Sequence, residues 1–442
     1  MGTLRNKLMG LWHNEFWNKM LKNAIAVFSG KSIASVLNAL MVILIPLIFN
    51  TDLYGCFVIG QTYMSVIDSI VNFQSWHSVI RYGAFAIEEK NDDKLVKVIK
   101  AGLVVDIVTC IVGFFLGAFG VELFGYIFHW SKTIQILCFL FSFEILFHVE
   151  GTITGILRLF DKFGYIATYS IVAALLKLVA VGIMFLLGIK NIFVFTVVYV
   201  IVEIITFIIY VYIGMRELSK ACGLKKVWGC KIKGMGKEFW SYTIWSNISV
   251  TVDVPIKYFD IFFLSLISTE MVAAYNIFKQ MVSVLGLMVT PLSQASMPQF
   301  SQLIASKKEK EAYHKVLKLR NVILLVLTPI MIVFGLVAPF LLKVIGQGQL
   351  VSYLYILYAL LAFNICALSY TGLHPLFSAY GFSKQTAYIL LVANVVYTVW
   401  CAATVKQFQV IGIIIGQFIQ FCIVIVWKKY IIKKNVLTEN NT

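Results

Sequence analysis

Charge is scarce in this chain. Asp, Glu, Lys and Arg make up 13% of its 442 residues, against 60% hydrophobic, and mean hydropathy is +0.87. A soluble domain carries about twice that share of charge. So little charge excludes a water-soluble protein and makes lipid the solvent for most of the chain. Other signals are missing too. The eight Cys follow no zinc spacing: six lie in apolar runs, while Cys222 and Cys230 sit in a basic loop without a nearby His. No metal or cofactor site is expected. The first apolar run, from near Asn23, is too long for the core of a cleavable signal peptide. "GKS" at Gly30 resembles the end of a phosphate-binding loop, but Ile25 stands where its first Gly belongs, so no ATP site is read. HExxH and GxSxG are absent, and the outward loops are short, which argues against an enzyme.

What is present is a series of apolar runs. A helix crossing about 30 Å of hydrocarbon needs roughly 20 apolar residues. Twelve runs qualify, near 23–49, 55–79, 101–125, 133–157, 164–188, 191–214, 239–267, 272–300, 321–345, 351–378, 385–404 and 410–427. With the N-terminus in the cytoplasm, cytoplasmic segments hold 29 Lys and Arg, and the opposite side holds four, Lys132, Lys190, Lys343 and Lys406. That asymmetry is the positive-inside rule. It predicts a membrane protein with both termini in the cytoplasm, and explains the net charge of +16 without nucleic acid. Residues 1–22 space Leu4, Leu8, Leu11, Trp12, Phe16 and Met20 as an interfacial helix.

The sequence repeats itself. "TGILRLFDKFGYIATYS" from Thr154 echoes "TGLHPLFSAYGFSKQTA" from Thr371, a shift of 217. Three further echoes, at Thr51 and Thr269, Ser78 and Ser296, and Lys97 and Lys315, are shifted by 218. Each half therefore holds six spans in one orientation, as parallel repeats do. The predicted fold is an all-α integral membrane protein. It comprises an interfacial segment (1–22), a six-helix lobe (23–214), a basic linker (215–238), a second six-helix lobe (239–427) and a tail (428–442). The two lobes surround a central cavity, and the matched stretches are read as glycine-supported turns at the cytoplasmic ends of spans 4 and 10.

Eleven charges fall inside these spans: Lys31, Asp68, Asp106, Glu144, Glu150, Lys177, Glu203, Asp253, Lys257, Asp260 and Lys279. At roughly 3 kcal/mol each, all facing lipid would cost on the order of 30 kcal/mol, more than a protein's whole stability. Most must face water or one another. Spacing agrees: Gln61, Ser65, Asp68, Asn72 and Trp76 form one stripe on span 2, and Ser246, Ser249, Asp253, Lys257 and Asp260 another on span 7, which Pro255 should kink. Asp253 with Lys257, and Glu144 with His148, are spaced to neutralise each other. Asp106 and Glu150, nearer the cytoplasmic end, have solvation there as the plain reading. Lys31, Lys177 and Lys279 show no local partner and point to an anionic substrate. With Lys257 they are expected to line one cavity. Asp68, Glu203 and Asp260 are the candidates for a coupling proton or Na⁺.

Several stretches resemble the polysaccharide biosynthesis (O-antigen type) flippases of the multidrug/oligosaccharidyl-lipid/polysaccharide exporter superfamily. They are "TDLYGCFVIGQTYMSVIDSI", "IRYG" around Arg81, "STEMVAAYNIFKQMVSV", "MPQFSQLIASKKEKEAYHKVLK" and "VIGIIIGQFIQF". Asp260 matches the family's acid in span 7, Tyr275 the Tyr opening span 8, Pro298 and Ser301 its Pro-x-x-Ser, and Arg81 a basic residue after span 2. Ala274 departs from the family's Gly. The resemblance implies movement of undecaprenyl-pyrophosphate-linked oligosaccharide between leaflets without ATP hydrolysis, with Arg81 a further candidate for substrate binding. It also implies contact with membrane lipids and with polysaccharide polymerase machinery. Two other readings stand beside it: a cation-coupled multidrug exporter, whose usual substrates fit a Lys-rich cavity poorly, and a membrane-bound polysaccharide polymerase or ligase, which usually needs a larger outer loop.

Overall fold

The computed structural model describes residues 15–434 except 74, 233, 234, 291, 293–295, 297, 298, 301, 302 and 305. Most of the expected interfacial segment 1–22 lies outside the described residues, as do Pro298 and Ser301. The described residues form helices and no strand. The first half comprises α1 (Glu15–Ile48), α2 (Thr51–Val71), α3 (Ser75–Glu88), α4 (Asp92–Ile127), α5 (Lys132–Phe147), α6 (Gly151–Leu159), α7 (Phe163–Leu186) and α8 (Ile192–Cys222). A short α9 (Leu224–Gly229) leads into α10 (Lys237–Thr251), α11 (Val254–Ser265) and α12 (Thr269–Gly286). Then follow α13 (Glu309–Val344), α14 (Leu354–Ser369), α15 (Leu373–Ala379) and α16 (Ser383–Ile432).

Short polar residues set the helix starts. Asn50, Asn91, Ser131, Asn191 and Ser268 each accept a hydrogen bond from a backbone N–H in the first turn of α2, α4, α5, α8 and α12. Among the described residues, nine helical segments are long and apolar enough to cross a membrane. One of them is two arms. A straight 50-residue helix would measure about 75 Å, far beyond a bilayer. At Gln409 the backbone leaves the helix (φ 50°, ψ −132°) and α16 folds back. Trp400 Nε1 donates to the Gly412 carbonyl (3.0 Å), Gln420 to Asn394 (3.1 Å), and the Tyr388 and Trp427 rings lie 5.7 Å apart. The segment α10–α11 and helix α12, which hold spans 7 and 8 of the sequence reading, are not among the nine.

Positions 218 residues apart occupy comparable contacts. Phe57 and Tyr199 meet ring to ring at 5.3 Å, and their counterparts 218 residues on, Tyr275 and Gln417, share a hydrogen bond of 3.0 Å. The equivalent helices α2 and α12 lie against each other. Thr269 donates to the Asp52 carboxylate, and Asn276 donates to the Tyr54 hydroxyl (3.0 Å). Gly55 allows this approach, since a Cβ there would sit 1.9 Å from the Thr269 carbonyl oxygen. At the other end Ser78 and Thr243 share a hydrogen bond of 2.6 Å, and Asn247 donates to the Ile70 carbonyl (3.0 Å).

The matched glycines work differently from the sequence reading. Gly155 and Gly372 serve close packing rather than reversal: a Cβ would lie 2.9 Å from Val79 and from Leu319, respectively. Gly381 does make the turn of the second half, at φ +81°. In the first half Asp161 (φ 60°) takes the left-handed conformation instead, and Gly164 opens α7.

Candidate functional site

Two ionic clusters occupy the interior, one in each half. The first gathers where the chain between α5 and α6 leaves helical form at residues 148–150. The interruption turns His148 away from Glu144. Its Nδ1 lies 2.9 Å from Asp68 of α2, and its Nε2 lies 2.9 Å from Glu150. Asn72 donates to the His148 carbonyl (3.2 Å) and to Asp68 (3.2 Å), holding the arrangement. A neutral imidazole has one donor and one acceptor. Facing a carboxylate on each side, this one requires an additional proton somewhere in the triad.

On the same side Lys177 of α7 bonds Glu203 of α8 at 2.6 Å, with both side chains largely buried. Glu144 is 2% exposed, and its Oε1 has no hydrogen-bond partner. Asp68, Glu144, His148 and Glu203 line a cavity of about 140 Å³ together with Ser65, Phe207 and, from the other half, Tyr258 of α11. Among the described residues no group of His, Cys, Asp and Glu is arranged to hold a metal ion. The site's distinctive group is therefore an orphaned buried carboxyl oxygen beside a doubly bonded imidazole.

The second cluster centres on Asp260 of α11, which is fully buried. One oxygen of Asp260 accepts from Lys279 (2.5 Å) and from Tyr275 (2.8 Å), and Gln417 donates to Tyr275 (3.0 Å). Lys279 also donates to the Lys257 carbonyl at 3.1 Å. Lys257 itself stands 3.9 Å from Asp253, and both are partly exposed. The expected interruption of span 7 falls at Val252–Asp253, with Pro255 in the first turn of α11. Asn394 donates to the freed Val252 carbonyl at 2.6 Å, and both residues line a cavity with Pro255.

Several sequence readings change. Lys177 and Lys279 are not partnerless; each pairs with a carboxylate on a neighbouring helix. Lys31 is exposed and Lys257 half exposed, and the polar cavity is lined by acids and His148 rather than by the four lysines. Glu144 and His148 do not pair. Asp106 is not solvated: it is fully buried and caps α6 from α4 by accepting from the Thr152 N–H (2.6 Å). Arg81 stacks on Tyr242 of α10 (4.6 Å) and Tyr82 (5.8 Å), joining the two halves. The reading missed His148 as the centre of a triad, although "VEG" at 149–151 marks a place where a helix can break.

The sequence profile described as polysaccharide biosynthesis protein matches residues 20–304, and one described as MatE matches residues 248–403. The chain belongs to the polysaccharide biosynthesis protein family. Its fold is shared with solved members of the MOP superfamily. An inward-facing multidrug resistance MATE family transporter of that superfamily superposes with a TM-score of 0.68 at 11% identity, over 93% of this chain and 95% of the other. The lipid II flippase MurJ, in an inward closed conformation, gives 0.66 at 14% identity over 93% and 87%. A MOP superfamily transporter from Pyrococcus furiosus, described by the reverse polarity of its binding pocket, gives 0.62 at 13% identity over 94% and 95%. No curated protein matches the chain by sequence. This family member is a multi-pass membrane protein with the fold of solved MOP superfamily transporters.

Proposed function

We propose that this family member carries an undecaprenyl-pyrophosphate-linked oligosaccharide repeat unit across the bacterial cytoplasmic membrane for surface polysaccharide assembly. It does so by alternating access of two six-helix halves. The match to a polysaccharide biosynthesis family over residues 20–304, on a fold of transporters, is the observation that carries the reading. The basic side, rich in Arg81, Arg158 and Lys100, faces the cytoplasm with both termini. Cys222 and Cys230 then escape an impermeant thiol reagent in intact cells, and ready labelling of either would reverse the topology.

The cavity beside His148 is assigned to the coupling ion, and that ion to a proton. Asp68, His148 and Glu150 form a chain through which a proton passes, and Glu203 and the orphaned Glu144 are its neighbours. Asp260 serves the second half as the anchor of Lys279. Lys31 and Arg81, with Lys279 on its Asp260 anchor, are the cations assigned to the pyrophosphate. Lys257, with its loose contact to Asp253, and Lys177, held by Glu203, contribute to that field at longer range. A carboxylate-lined cavity and the MatE match at 248–403 also favour a second reading, export of a cation.

A deletion strain fed labelled sugar separates these. Loss of a flippase strands lipid-linked repeat units in the inner leaflet. Loss of a polymerase or ligase leaves them in the outer leaflet. Unchanged units, with a raised sensitivity to cationic drugs, would favour the exporter.

A further inference from the structure

Away from both clusters, α13 and the ends of α14 and α16 bring two cations onto one tyrosine, with a third, buried lysine next in sequence. Arg320 donates to the Tyr370 hydroxyl at 3.3 Å, and Lys429 donates to the same oxygen at 3.0 Å. Both also lie over the Tyr370 ring, at 5.7 and 4.3 Å. The two donor nitrogens are thus held within about 6 Å of each other on one neutral oxygen. The next residue, Lys428, is 1% exposed. Its ammonium bonds His374 Nδ1 (2.8 Å), an uncharged acceptor, and stands 5.2 Å from the Phe377 ring. Asp253, the acid that feels Lys428 electrostatically, is already 3.9 Å from Lys257. Among the described residues no carboxylate forms an ion pair with Arg320, Lys428 or Lys429.

A basic surface at this end is expected of any membrane protein with this topology. That explanation does not reach a buried lysine. Surface lysines extend to water; a buried ammonium whose hydrogen-bond partner is a neutral imidazole is only weakly compensated. The repeat supplies a control. Shifts of 217 and 218 residues map Arg320, Tyr370, His374, Lys428 and Lys429 onto Gly102, Ile153, Leu157, Tyr210 and Val211. The first half carries no charge at these five positions, so the repeat does not require cations there.

We infer that this corner of the second half binds a phosphate-bearing anion, either the headgroup of an anionic phospholipid or a free phosphate. Arg320, whose Nε and Nη2 donate to Asn321 Oδ1 at 3.1 and 2.9 Å, and Lys429 bring two positive charges to one point at the Tyr370 hydroxyl, which suits an oxyanion. The Tyr370 hydroxyl holds Arg320 and Lys429 in place and turns its own proton toward the anion.

The test uses the purified full-length protein and the R320Q/K429Q variant. Melting is followed in detergent with chloride or inorganic phosphate at matched ionic strength, and in phosphatidylcholine nanodiscs with or without phosphatidylglycerol. The wild type should melt higher with one of the two anions, and its half-saturating concentration should rise about tenfold or more in the variant. A response to inorganic phosphate in detergent assigns a soluble anion; one confined to phosphatidylglycerol assigns a lipid headgroup. Tyr370→Phe, which removes no charge, should also weaken the response and serves if the double variant does not fold. A wild type indifferent to both anions, or equal responses in wild type and variants, would overturn the site.

Discussion

Replacing Lys177 with Ala should lower the melting stability of the purified protein by about 3–5 kcal/mol, the usual cost of stranding a buried charge. Glu203 loses its 2.6 Å partner and remains largely buried next to Glu144, whose Oε1 is already unsatisfied. Two uncompensated carboxyls then share one buried site. The double variant Lys177→Met with Glu203→Gln removes both charges and should recover most of that loss while remaining inactive in export. Denaturant or thermal melts of the wild type, single and double variants decide it. A single variant as stable as the wild type would show that the pair is solvated rather than buried. A double variant no better than the single would show that the loss is one of packing.

The second large effect concerns His148. Changing it to Ala should leave the fold intact, because the Asn72 bond to its backbone carbonyl survives. It should lower proton-driven transport by about 10²-fold or more, the scale on which a positioned proton carrier contributes. Asp68 and Glu150 then face each other with no group able to relay between them. Counterflow that needs no gradient should fall much less. Reconstituted transport measured with and without a pH gradient separates these. An equal loss in both modes would make His148 a structural residue, and no loss would remove it from the path.

The sequence made some of this legible and hid the rest for physical reasons. Apolar runs and loop charge showed the membrane fold, because lipid imposes length and hydropathy on every span. The shifts of 217 and 218 marked a duplication, but that α2 packs on its equivalent α12 emerged only in the structure. Partners across helices were hidden. Lys177 and Glu203 are 26 residues apart, and Asp68 and His148 are 80 apart. Spacing along one helix cannot find either pair. The helix break at 148–150 mattered as much: a continuous helix would have placed His148 over Glu144, four residues back. The same blindness made Lys177 and Lys279 look free.

On the proposed function, this family member moves a lipid-linked oligosaccharide at the expense of a proton gradient. Proteoliposomes containing the pure protein and a labelled undecaprenyl-pyrophosphate oligosaccharide test it most directly, with leaflet position read by an impermeant sugar-cleaving enzyme. An imposed pH gradient should drive the label to one leaflet, and collapse of the gradient or the His148→Ala change should stop net movement. Label that equilibrates at the same rate with or without the gradient, or only in step with a Na⁺ gradient, would contradict the proton assignment. Label that does not move at all while a cationic dye does would contradict the substrate.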